Sequence, residues 1–180
     1  MNYTIQQLAT RTRQVNARND WGTDFTLAQV PQFIALIHSE ITEAHLERDR
    51  DARARELGDV IVRCMDLCEL INPGALQHAL TRPRLTSVRP ALPARLVVRA
   101  TRTHQDARLH ALASAALETY RKAPDASVQD DLIRDLARLL EETTHVMSCE
   151  LPYPGVPTGV VRGILDANAG RGKRHGGRRC

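Results

Sequence analysis

Two spaced pairs of acidic residues constrain this chain more than any other feature in it. Glu40 and Glu43 stand three residues apart, as do Glu56 and Asp59. Each pair lies in apolar sequence of helical period. Phe33, Ile34, Ile37, Ile41 and Ala44 surround the first, and Leu57, Val60, Ile61, Cys64, Met65 and Cys68 the second. Residues three apart share one face of a helix, so each pair forms a doublet. Arg48-Asp49-Arg50-Asp51 is polar and lies midway between Glu43 and Glu56. A turn there folds the segment into an antiparallel helical hairpin with the doublets at matching heights. Four facing carboxylates repel, and burial raises the cost, unless a hard divalent cation neutralises them. An all-oxygen donor set selects magnesium or manganese over zinc. Glu40, Glu43, Glu56 and Asp59 are therefore candidate metal ligands.

The rest of the chain is also helical in pattern. Of its 180 residues 42% are apolar and 3% aromatic, with many Ala, Leu and Arg, which favours packed helices over sheets. The expected class is all-α, with one core or two small helical subdomains sharing one. The net charge of +4 is local, because Arg171 to Arg179 holds five Lys/Arg residues and no acid. The body offers no basic helix interleaved with aromatics, so nucleic acid is not an expected partner. No apolar run approaches membrane-spanning length, and Met1 to Gln7 lacks the basic-then-apolar order of a secretory signal. A cytoplasmic protein with no membrane partner is expected. Cys64, Cys68, Cys149 and Cys180 have the spacing of neither a disulfide framework nor a Cys-x-x-Cys zinc site. Cys64 and Cys68 read as small core residues.

In chain order, Ile5, Leu8, Ala9, Thr12 and Val15 predict a helix near Thr4 to Arg18, with Thr4 as its N-cap. Asn19 to Asp24 breaks it and carries Trp21, the single tryptophan, which either stacks on a nucleobase or plugs the end of the bundle. The hairpin's first helix starts between Leu27 and Gln32, since Pro31 is tolerated only in a first turn. His38, just ahead of the first doublet, reads as packed or exposed rather than as a phosphate contact. The second helix runs from about Ala52 to Ile71 and stops at Asn72-Pro73-Gly74. Gly58 inside it costs about 1 kcal/mol relative to Ala. It makes room either for a phosphate at the metal site or for a closely packed helix.

Three prolines between Thr81 and Pro93 mark 81–104 as a Pro/Arg-rich linker between a first hairpin region, 1–80, and a second helical region, 105–180. The second region predicts helices near Gln105 to Lys122 and Val128 to Glu150, the latter capped within Asp125 to Ser127. It repeats the order of the first: Leu-Glu-x-x-Arg near the end of one helix, a polar turn, then a long helix with a similar stop. Glu69-Leu-Ile-Asn-Pro-Gly74 matches Glu150-Leu-Pro-Tyr-Pro-Gly155. Aligned on those stops, Ala137 and Leu140 stand where Glu56 and Asp59 do. No acid pair between Leu109 and Tyr120 matches Glu40 and Glu43. Two readings stand: a degenerate second hairpin that makes the chain an internal pseudo-dimer, or convergence of two amphipathic hairpins.

Glu-x-x-Glu followed by Glu-x-x-Asp, within Leu36-Ile-His-Ser-Glu-Ile-Thr-Glu-Ala44 and Glu56-Leu-Gly-Asp-Val-Ile-Val-Arg63, resembles the signature of the MazG-like all-α nucleoside triphosphate pyrophosphohydrolases. The C-terminus is similar to the ending of one MazG-like subgroup, with Asn168-Ala-Gly-Arg171 on a helix and then Arg174-His175-Gly176-Gly177. It departs at Ile164, where a lysine is usual, and at Lys173, where an aromatic is usual. The long segment after the hairpin also interrupts the resemblance. What the resemblance implies is a MazG-like helical bundle holding Mg2+, or Mn2+, on Glu40, Glu43, Glu56 and Asp59. Its implied reaction cleaves a nucleoside triphosphate, ribo or deoxy, to the monophosphate and pyrophosphate. Glu40 or Glu43 would be the general base, Asn168, Arg171 and Arg174 would bind the phosphates, and Trp21 is a candidate substrate contact. A homodimer is expected, because one hairpin with a broad apolar band rarely closes its own core. Two alternatives remain. One is a non-catalytic or regulatory bundle that binds nucleotides or a partner. The other is a carboxylate di-metal bundle, for which Glu142-x-x-His145 supplies one of the two motifs required.

Overall fold

The computed structural model describes residues 4–81, 102–122, 128–151 and 156–171. Of these residues 87% are helical and none lies in a strand. They form seven α-helices: α1 (Ile5–Arg18), α2 (Val30–Leu46), α3 (Arg50–Ile71), α4 (Ala75–Thr81), α5 (Arg102–Lys122), α6 (Gln129–Glu150) and α7 (Val156–Ala169). The all-α class expected from composition and periodicity is the one observed.

Local chemistry sets the helix ends. Thr4 Oγ1 accepts from the Gln7 amide at 3.2 Å while Gln7 Oε1 accepts from the Thr4 amide at 2.9 Å, a reciprocal cap on α1. Pro31 lies in the first turn of α2, where its missing N–H leaves no helical bond unmade. Asp49 accepts from the Ala52 amide at 2.8 Å, so α3 begins at Arg50 rather than near Ala52. At the far end of α3, Glu69 accepts from the Gly74 amide at 3.1 Å. Gly74 takes φ +84°, a left-handed conformation that glycine adopts without strain.

Four helices form the body. α2 and α3 run antiparallel: Arg53, near the start of α3, donates to the Ala44 carbonyl near the end of α2 at 2.5 Å, while Arg63 further along α3 reaches back to Glu40. α5 and α6 are antiparallel in the same way, tied by Arg108–Glu142 and Thr119–Asp135, both at 2.7 Å. The pairs close into a bundle, α2 against α5 and α3 against α6. Ile34, Ile37, Ile41, Leu57, Met65, Leu132 and Leu136 fill its centre. α1 and α7 lie together along α3, and α4 lies along α6.

Arg53 ties this body together and is completely buried. It donates to Asp106 of α5 at 2.7 Å and to Glu150 of α6 at 2.9 Å. His45 of α2 shares Asp106 at 2.9 Å. A guanidinium is tolerated in the interior where the donors of its fork meet acceptors, as they do here.

The structure moves one sequence boundary. Residues 102–104, assigned above to the linker, open α5, and Arg102 ion-pairs with Glu150 at 3.2 Å. The remainder of that span, 82–101, lies outside the described residues, as do Asp125 to Ser127, Arg174 and the His-Gly-Gly tail. Cys64 and Cys68 are buried core residues whose thiols burial pushes far up, which leaves them inert. Among the described residues no helix is long and apolar enough to cross a membrane.

Candidate metal centre and adjoining cleft

The hairpin brings both acidic doublets to one place. A carboxylate oxygen from each of Glu40 and Glu43 on α2 and Glu56 on α3 comes within 4.8 Å of the other two. Asp59, one turn further along α3, falls outside that trio but feels the charges of Glu40 and Glu56. Burial first, and then those neighbours, push its carboxyl up to about 7. Glu56 is raised by burial and by Glu43 and Glu40, while Glu40 is raised by burial against the opposing pull of Arg63. The shared cause is concentrated negative charge in a partly desolvated place. A hard divalent cation relieves that strain and matches the all-oxygen donor set, so these residues fit the metal that the sequence implied.

Arg63 was not singled out by the sequence reading. Its Nε donates to Glu40 Oε1 at 3.1 Å, and its guanidinium lies 5.4 Å from the centroid of the Trp21 ring. Trp21 packs edge-on against Phe33 at 6.1 Å, and Phe25 does the same at 5.5 Å. The tryptophan is thus built into the end of the core and meets the carboxylates through Arg63. Helical spacing was the available signal, because Arg63 is one turn beyond Asp59 on the same face of α3.

A cleft of about 520 Å³ opens beside Asp59, between α3 and α7. Asp51, Arg55 and Asp59 line one wall, and Ile164, Asn168 and Arg171 line the other. The Asn168 carbonyl accepts from Asn19 Nδ2 at 3.0 Å and from the Arg171 amide at 3.1 Å, which anchors the end of α7. Arg171 is near enough for its charge to oppose the rise in the Asp59 pKa.

α7 approaches this closely because of Gly58. A Cβ at that position would stand 2.6 Å from Ile164 Cδ1 and 2.8 Å from Val160 Cγ1. Of the two readings of Gly58, the structure selects close helix packing. It also gives Ile164 a role, since a branched apolar side chain fills the notch where the resembling family carries a lysine.

No family model, curated protein or solved structure matches this chain. The other sequence candidates are placed as follows. His38 is packed, stacking on His110 of α5 with ring centroids 5.0 Å apart. Glu142 is ion-paired with Arg108, and His145 is exposed beside Cys149 at 3.9 Å. Among the described residues the one group of three or more metal-capable side chains is Glu40, Glu43 and Glu56, so Glu142-x-x-His145 builds no second centre. Arg174 lies outside the described residues. Arg55 was missed, because nothing in sequence tells which arginine on a polar stretch will face a helix that folds back from much later in the chain.

Proposed function

We propose that this chain is a metal-dependent nucleoside triphosphate pyrophosphohydrolase of the MazG-like kind, acting on an NTP or dNTP to give the monophosphate and pyrophosphate. The observation that carries this reading is the convergence of Glu40, Glu43 and Glu56, with Asp59 one turn along α3 lining a cleft whose far wall holds Asn168 and Arg171. Negative charge on one side and hydrogen-bond donors on the other suit a polyphosphate whose own charge must be both bridged and neutralised.

When bound, Mg2+ or Mn2+ would polarise phosphate oxygens and acidify a water in the centre. Glu56 and Asp59, fixed on α3, would be ligands of that metal. Glu40 or Glu43 takes the proton from the attacking water, with Glu40 oriented by Arg63. Arg171 and the Asn168 amide stabilise charge on the departing pyrophosphate, and Arg55 faces the same cleft. Gly58 sets the distance between the two walls by letting α7 rest on α3.

The test is pyrophosphate release from a panel of ribo- and deoxynucleoside triphosphates with magnesium, with manganese and with chelator. Metal-dependent release from one or more of them is expected. Failure with every substrate and either metal would turn the assignment toward a nucleotide-binding or partner-binding bundle without turnover.

A further inference from the structure

We propose that the chain is two copies of one three-helix unit, α2–α3–α4 and α5–α6–α7, folded about an internal two-fold axis, and that its site is completed across that axis. The first unit supplies the carboxylates, and α7 of the second supplies Asn168 and Arg171. The nature of the ligand, a polyphosphate, rests on the function proposed above; the architecture does not.

The packing is reciprocal. α2 meets its counterpart α5 and α3 meets its counterpart α6, each antiparallel, as a two-fold axis across the helices requires. The third helices exchange. α7 packs more extensively on α3 than on the α6 it follows, and α4 more extensively on α6 than on the α3 it follows.

The registers agree as well. Laying His110 on His38 puts Leu109, Ala113 and Ala116 on Ile37, Ile41 and Ala44, buried residues on buried residues. Those two histidines touch each other, their rings stacked at 10° with Nδ1 atoms 2.7 Å apart. Equivalent residues in mutual contact mark the place where the axis passes. Laying Glu150 on Glu69 puts Thr143, Val146 and Met147 on Val62, Met65 and Asp66, all buried, and starts α7 where α4 starts.

What each unit has lost is what the other keeps. In these registers Leu112, Ala115, Ala137 and Leu140 take the places of Glu40, Glu43, Glu56 and Asp59. In the sequence register alone, Asn168 and Arg171 align with Ser87 and Pro90, which lie outside the described residues. A symmetric pair would hold two composite sites, and this chain retains both parts of only one of them. The second unit also covers the apolar band that a lone hairpin would expose. Among the described residues the large hydrophobics left exposed are Ile5 and Leu46. The second unit thus stands where the sequence called for a second chain.

The test uses full-length protein with Mn2+ and inorganic triphosphate as probes, so that no turnover is needed. Calorimetry of the wild type is expected to give one triphosphate per chain. Arg171→Ala, at an exposed position, should weaken triphosphate binding at least about tenfold while Mn2+ alone binds within about twofold of wild type. The double variant Glu56→Gln/Asp59→Asn should lose Mn2+. A mixture of these two variants should recover nothing, because both parts of the site belong to one chain. Recovered triphosphate binding in the mixture, two triphosphates per chain, undiminished affinity in Arg171→Ala, or no binding by the wild type would each overturn the proposal. The expected binding pattern without pyrophosphate release from any nucleotide would instead overturn the hydrolase reading and leave the composite site standing.

Discussion

The two antiparallel helix pairs differ most at the same height of the bundle. In α2–α3 that level carries Glu40, Glu56 and Asp59, partly buried, together with the exposed Glu43, and their charges repel. In α5–α6 it carries Ala137 and Leu140, which are buried, and no acid pair. Apolar residues stabilise a bundle there; four carboxylates do not, and burial, with Glu40 and Glu56 adding to it, pushes the Asp59 carboxyl up to about 7. A cost tolerated in one half and avoided in the other is what the proposed site would require, since packing alone favours the apolar solution.

The contrast is sharpest at the arginines that occupy matching positions on α3 and α6. Arg53 is buried against Asp106 and Glu150, whereas Arg134 is exposed and, among the described residues, bonds to Asp131 and the Asp130 carbonyl on its own helix. Arg53→Ala leaves buried Asp106 with His45 and buried Glu150 with Arg102 as their remaining partners, and is expected to cost about 3–5 kcal/mol in denaturant unfolding, the largest of these stability effects. A loss below about 1 kcal/mol would mean that the buried network does not join the two halves.

Metal removal comes next. Saturating Mn2+ at a hundred times its dissociation constant should stabilise the protein by about 2.7 kcal/mol at pH 8. At pH 6 the gain should be smaller. Asp59 ionises at 3.8 in the unfolded chain and at about 7 when folded, so between those values the folded state holds the extra proton. The stability of the metal-free protein therefore falls as pH rises through this window. A metal ligand must first release that proton, and thermal unfolding at both pH values with and without Mn2+ reads the difference. Equal shifts at pH 6 and pH 8 would remove Asp59 from the ligand set.

Smaller again is the effect of filling the notch under α7. Gly58→Ala gains helix propensity yet forces Ile164 and Val160 aside, for a net cost of about 1–3 kcal/mol. Combining it with Ile164→Ala should recover part of that cost, and strict additivity would show that the two positions do not meet. The smallest effect is expected at Arg134→Ala, within about 0.5 kcal/mol of wild type by the same unfolding assay, despite its matching position.

How much of this was legible in sequence depended on the range of the interaction. Helical period gave the all-α class, Thr4 and Pro31 gave helix starts, and the spacing of the acids gave the meeting of Glu40, Glu43 and Glu56, because each of these is a local rule carried along the chain or one hairpin. Arg53 was illegible. It sits in the polar run Arg48 to Arg55, and its burial depends on Asp106 and Glu150, far away in sequence. Gly58 announced a close approach without naming its partner, and only the return of α7 shows that the partner is Ile164. Arg55 carried no motif, and Arg63 closed the quoted stretch without a role, although it lay one turn past Asp59 and spacing alone would have placed it near Glu40.

The central claim is that the carboxylates of the first hairpin form the reaction centre, and one comparison tests it most directly. Pyrophosphate release would be measured side by side for the wild type and Asp59→Asn, with Mg2+ and with chelator, on protein of matched helical circular dichroism. The account predicts Mg2+-dependent release by the wild type and a rate at least about a hundredfold lower in the variant. Equal rates in the two proteins, or release that persists in chelator, would contradict it.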